Sequence, residues 1–107
     1  MTTYRIGKEL TITRQEGDVA DVVITVPDVL PMAGRTAVFG VFDRAGKQIF
    51  RKDADIVVVE QVLSIPLQPD DTQRRSGELC WELEVTDSAG PITIGRGKFI
   101  VEPTLIR

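Results

Sequence analysis

Four aspartates are the residues best suited to hold an ion. Asp53 and Asp55 sit two positions apart, and Asp70 and Asp71 are adjacent and followed by Thr72. Calcium takes roughly 6–8 oxygen ligands, several of them carboxylates, from a suitable loop. Convergence of Asp53, Asp55, Asp70 and Asp71 would therefore make a calcium site. The local alternative is turn capping, because Asp and Thr side chains accept hydrogen bonds from nearby backbone N–H groups. A second carboxylate pair is Glu82 and Glu84. On one face of a strand they would stand about 6–7 Å apart. Glycosidases also use paired carboxylates, but these two alternate with apolar residues, as a solvated sheet face does. Cys80 falls on the same side as the glutamates. A nucleophilic thiolate needs a base or a cationic neighbourhood, and here the neighbours are acidic and the chain has no histidine. Cys80 is therefore expected to be a packed or half-exposed structural thiol. Gly95-Arg96-Gly97 is no phosphate loop, since no helix follows it to offer its N-terminus. The residues thus assign no catalytic group, no cofactor and no metal ligand, with calcium at the four aspartates as the alternative, and the chain reads as a non-enzyme.

The elements that position these residues have period two. Leu10 to Thr13 begins the pattern, and Gln15-Glu16-Gly17-Asp18 reads as a turn. Val19 to Val26 follows, with Ala20, Val22, Ile24 and Val26 on an apolar face and Val19, Asp21, Val23 and Thr25 on a mixed one. One buried and one mixed face is the pattern of an antiparallel sheet. Pro27 and Pro31 bracket an irregular crossing, because proline cannot donate to a ladder. Thr36 to Phe42 is apolar on both sides and predicts a central strand. Asp43 to Lys47 is a hairpin turn leading into Gln48 to Arg51. Ile56 to Val59 and Val62 to Leu67 are joined at Glu60-Gln61, and Pro69 to Gly77 is a polar loop. Glu78 to Thr86 is the clearest strand, with Leu79, Trp81, Leu83 and Val85 inward and Glu78, Cys80, Glu82, Glu84 and Thr86 outward. In the last strand, Ile92 to Val101, the inward phase slips between Ile94 and Phe99. A β-bulge around Gly95-Arg96-Gly97 would restore it.

Seven to eight short strands with frequent turns and no helix predict an all-β fold, a sandwich or a partly closed barrel. Val, Ile and Thr number 33 of 107 residues, which suits a pleated surface better than a helix. One domain is expected, with its core over about 9–103, and Phe39, Phe42, Trp81 and Phe99 within that core. The single cysteine excludes an intrachain disulfide and a Cys-rich zinc site. A net charge of −3, with Arg74-Arg75 an adjacent basic pair in a loop rather than part of a basic face, argues against nucleic acid as a partner. Too few aromatics remain outside the core for a base- or sugar-stacking platform. No apolar run is long enough to span a membrane, and Met1 to Arg5 lacks the features of a signal peptide. Synthesis in a reducing cytoplasm is expected.

The order of motifs carries a resemblance. Arg14-Gln15-Glu16-Gly17-Asp18 precedes the strand-turn-strand from Ala37 to Lys47, with its aromatic centre Val38-Phe39-Gly40-Val41-Phe42. Ser64-Ile65-Pro66-Leu67-Gln68-Pro69-Asp70-Asp71-Thr72 follows, then Gly77 to Val85 around Trp81, then Gly97-Lys98-Phe99-Ile100-Val101. Over about residues 10 to 103 this resembles small immunoglobulin-like domains of tailed phages and prophages, in particular the N-terminal domain of phage baseplate upper proteins. The resemblance implies an immunoglobulin-like antiparallel β-sandwich. It also implies a structural or assembly role in the tail, baseplate or head-tail region of a virion. Partners would be other virion proteins or further copies of the chain, so an oligomer is possible. The alternative class is a ligand-binding β-sandwich, such as a carbohydrate-binding or adhesion module, which would need an exposed aromatic row or a calcium site.

Overall fold

The computed structural model describes residues 11–28, 30–73, 76–87 and 90–103. Eight strands are formed among them: β1 (Ile12–Gln15), β2 (Val22–Thr25), β3 (Ala37–Phe42), β4 (Gln48–Lys52), β5 (Val57–Val59), β6 (Val62–Ile65), β7 (Gly77–Asp87) and β8 (Gly90–Glu102). They make two sheets, one in the order β1-β8-β7-β3-β4 and the other β2-β6-β5. All pairings are antiparallel except β1 with β8, which run parallel from Ile12↔Phe99 to Gln15↔Glu102. The two inner faces enclose the core. This is a sandwich rather than a partly closed barrel.

The core forms because alternation places one side of each strand between the sheets. Leu79, Trp81, Leu83 and Val85 of β7 are buried, as are Val22 and Ile24 of β2 and Leu63 and Ile65 of β6. Trp81 stacks on Phe39 with ring centroids 5.8 Å apart, and Phe50 meets Phe99 edge-on at 5.9 Å. Aromatic pairs of this kind contribute about 0.5–1.5 kcal/mol beyond the area they bury. β3 lies inside its sheet, between β7 and β4. Its Phe42 is only half-buried and folds its ring over Gly40 on the outer surface, where a Cβ on Gly40 would come within 2.9 Å of the ring tip.

Several expectations are corrected. The apolar phase of Val19 to Val26 does not extend to Ala20, which is exposed. Asp18 accepts a hydrogen bond from the Ala20 N–H at 2.9 Å, and this local turn holds the segment out of the sheet until Val22. Leu10, expected in the first strand, lies outside the described residues. The extra residue in β8 is Ile94, since Thr93 pairs with Glu84 and Gly95 with Leu83. The bulge thus begins just before the glycines, and it turns Ile94 into the core. Pro69 to Gly77 is not all loop, because Pro69–Thr72 forms one helical turn, α1. Proline at a first helical position loses nothing, as its missing N–H has no intrahelical partner there. Asp71 closes the turn by accepting from the Gln68 N–H at 2.7 Å. The buried Thr72 then accepts from the Gly17 N–H at 2.9 Å, tying α1 to the turn after β1.

Candidate functional site

The four aspartates do not converge. Asp70 is exposed at the start of α1, and Asp53 faces the Arg51 guanidinium at 3.5 Å. Between the remaining two stands a tethered cation. The Lys52 ammonium is 2.8 Å from Asp71 Oδ2 and 4.0 Å from Asp55 Oδ2, with the Lys52 and Asp71 side chains only 10% and 14% exposed. The same ammonium nitrogen lies 5.9 Å from the Phe50 ring centroid. Lys52 has the same strand parity as Phe50, so β4 directs it inward, and it stretches along the core margin to reach the acids. Asp71 is satisfied twice, by Lys52 and by the Gln68 N–H. Among the described residues no group of three or more potential metal-ligating side chains is present.

The outer face of the five-stranded sheet carries the other polar candidates. Glu78, Cys80, Glu82 and Glu84 project outward from β7, as alternation predicts. Cys80 is exposed rather than packed. Arg96 lies 4.0 Å from Glu82, while Lys98 and Arg44 lie 3.8 Å and 4.0 Å from Glu78. Acid and base therefore alternate across β7, β8 and the β3–β4 turn, as on a surface built to face water. A shallow depression of about 160 Å³ runs along β3, floored by Val38, Gly40 and Phe42 and flanked by Arg51, Glu82 and Glu84. Among the described aromatics Phe39, Phe50, Trp81 and Phe99 are buried, so no aromatic row is exposed there.

The opposite surface is different. On the outer face of β2-β6-β5, Val23 is 61% exposed, Val57 57%, Val59 63% and Val62 36%. Register makes them neighbours: Val23 lies beside Ser64, which lies beside Val57, and Thr25 beside Val62, which lies beside Val59. The two rows of three contain no charge. Exposed valines are common singly, whereas these form a contiguous uncharged group on one sheet face. It escaped the sequence argument because each strand alone shows only unremarkable β-branched residues, and the strand pairing brings them together. The available signal was the Val-Val-Val run from Val57 to Val59, whose two faces cannot both be core in so short a strand.

The β5–β6 turn that carries this face is held by Gln61. Its Nε2 donates toward the carbonyls of Val26, Pro27 and Leu30 at 3.2, 3.2 and 3.0 Å, and its Oε1 accepts from the Met32 N–H at 3.0 Å. One amide thereby satisfies the irregular crossing from Val26 to Met32. To aim it, the preceding Glu60 takes a left-handed conformation, φ 54°, in a two-residue hairpin where glycine is favoured.

No family model matches the chain, and no curated protein does. Among solved structures it is similar to CopC from Methylosinus trichosporium OB3b, at 14% identity over 86% of this chain and 84% of that one, with a TM-score of 0.52. It also aligns with extracellular domains 3-5 of Drosophila OTK (16% identity, 92% of this chain and 34% of that one, TM-score 0.38). A third alignment is to the first Ig-like domain of human CD48 antigen (11% identity, 100% and 94%, TM-score 0.33). The fold is an immunoglobulin-like antiparallel β-sandwich. No helix among the described residues is long and apolar enough to cross a membrane.

Proposed function

We propose that this chain is a non-enzymatic interaction and assembly module whose working surface is the outer face of β2-β6-β5. The observation that carries the proposal is the uncharged group of Val23, Val57, Val59 and Val62, set against a five-stranded sheet whose outer charges pair with one another. The solvated face of a sandwich sheet is normally polar, and this one is not. The motif order from Arg14 to Val101, which resembles phage and prophage immunoglobulin-like domains, supports placing the module in the tail, baseplate or head-tail region of a particle.

The test is incorporation. Particles from an induced lysogen encoding the chain would be banded by density and probed for it, alongside a Val23→Lys/Val59→Lys variant. Both substituted positions are exposed, so the variant folds with its stability changed by less than about 1 kcal/mol. Wild-type chain in the particle band and loss of the variant from it is the expected result. Absence of the wild-type chain from particles rejects the virion setting. Equal incorporation of the variant rejects the valine face.

A further inference from the structure

The charges around the valine face say what kind of surface covers it. Residues 15–34 and 53–73, the two stretches that supply β2, β5 and β6, contain nine carboxylates and no Lys or Arg. Three of these acids are exposed at the ends of the face: Asp21 at the entry to β2, Asp55 at the entry to β5 and Glu60 in the β5–β6 turn. Asp55 shares Lys52 with Asp71 at 4.0 Å and 2.8 Å, so that three-residue group keeps a net negative charge. Basic side chains reach this region from outside those stretches, the Arg14 guanidinium donating to the Asp21 carbonyl at 2.9 Å and Arg35 lining the same hollow as Glu60, but the nine acids outnumber Arg14, Arg35 and Lys52.

We infer that the valine face takes the surface of a different protein, apolar at its centre and bearing lysine or arginine at its margin, rather than a second copy of this chain. The inference rests on the docking role proposed for this face. Two arguments select the partner. The apolar centre amounts to a few hundred Å², while a stable complex buries about 800 Å² on each side, so the margin must contribute. Packing two such faces about a two-fold axis would bring each copy's acids to the margin of the other, because an isologous contact repeats one patch against itself. Like charges so placed oppose association, whereas a basic margin steers and orients a partner.

The experiment titrates the full chain, with labelled valine methyl groups, with two synthetic peptides sharing one apolar core, KVTVTVK and EVTVTVE. The lysine-ended peptide is expected to shift the methyls of Val23, Val57, Val59 and Val62. It should bind at least ten-fold more tightly than the glutamate-ended one at low salt, with the preference shrinking as ionic strength rises. Asp21→Asn/Glu60→Gln, which changes only exposed groups, should remove most of the preference without removing the shifts. Equal shifts from both peptides overturn the charge selection while leaving the face as a docking surface. No shifts at these methyls from either peptide overturn both. Sedimentation showing a dimer that Val59→Lys dissolves assigns the face to a second copy and overturns the inference.

Discussion

Replacing Gln61 with alanine should be among the most damaging single changes in this chain that opens no core cavity. The side chain serves four backbone groups of one crossing, the carbonyls of Val26, Pro27 and Leu30 and the Met32 N–H. A primary amide has two donor hydrogens, so one of them is shared between two of the three carbonyls. Two or three net hydrogen bonds at about 1 kcal/mol each are lost. The part-buried Met32 N–H is left without its acceptor, which adds about 1 kcal/mol or more. The expected total is about 3 kcal/mol, with water entering the crossing returning part of it. Gln61→Glu separates the donor and acceptor contributions. It keeps an acceptor for Met32 but sets a carboxylate against three carbonyl oxygens, so near pH 7 it should cost more than alanine. That carboxyl is harder to ionise folded than unfolded. The excess penalty is therefore full above the raised folded value, is relieved as pH falls from it, and is gone below the unfolded value of about 4.3. Urea denaturation at pH 7 and pH 4 reads both effects as midpoint shifts at constant slope. A Gln61→Ala loss below about 0.5 kcal/mol would refute the view that one amide organises the crossing.

Lys52→Met should cost roughly 3 kcal/mol, since it strands Asp71 without its cation, while the Lys52→Met/Asp71→Asn double variant, which keeps an acceptor for the Gln68 N–H, should recover most of that loss in a denaturation cycle. Calcium should leave the melting temperature of the wild-type chain unchanged, because the space among the acids is filled by Lys52; a rise saturating with added calcium would overturn that placement. Glu60→Gly should raise stability by about 1 kcal/mol through relief of the left-handed conformation, read as a higher urea midpoint. Cys80 should react with a thiol reagent without prior unfolding, and Cys80→Ser should shift stability by under about 0.5 kcal/mol.

What the sequence made legible follows the range of the interactions involved. β7 was plain from Glu78 to Thr86 because each inward residue is apolar and each outward one polar or small. The slip in β8 was visible as a phase change between Ile94 and Phe99, although its position shifted by about one residue. A four-residue helix has no period to detect, so α1 was hidden, although Pro69 one residue after Gln68 and Asp71 three after it were its local signals. Lys52 was missed because the strand was ended at Arg51; continued by one residue, the Phe50 phase places a lysine inward. Gln61 carried no local sign at all, since its four partners lie 29 to 35 residues away. The valine face also depended on pairing. Val23, Val62, Val57 and Val59 come from three strands whose order alternation does not encode.

The parallel pairing of β1 with β8 has a mechanical consequence. The chain enters the five-stranded sheet through one of these strands and leaves it through the other, side by side and pointing the same way. Tension applied to the two ends pulls the strands past each other along their length. The bonds between them, evenly spaced in a parallel ladder, then share the load and must fail together, whereas a hairpin pulled from its open end loses them one at a time. Forced unfolding is governed by the height of that barrier and not by equilibrium stability. Two substitutions of equal thermodynamic cost, one in the β1–β8 ladder and one in β5, should therefore differ widely in the force they let the sandwich bear.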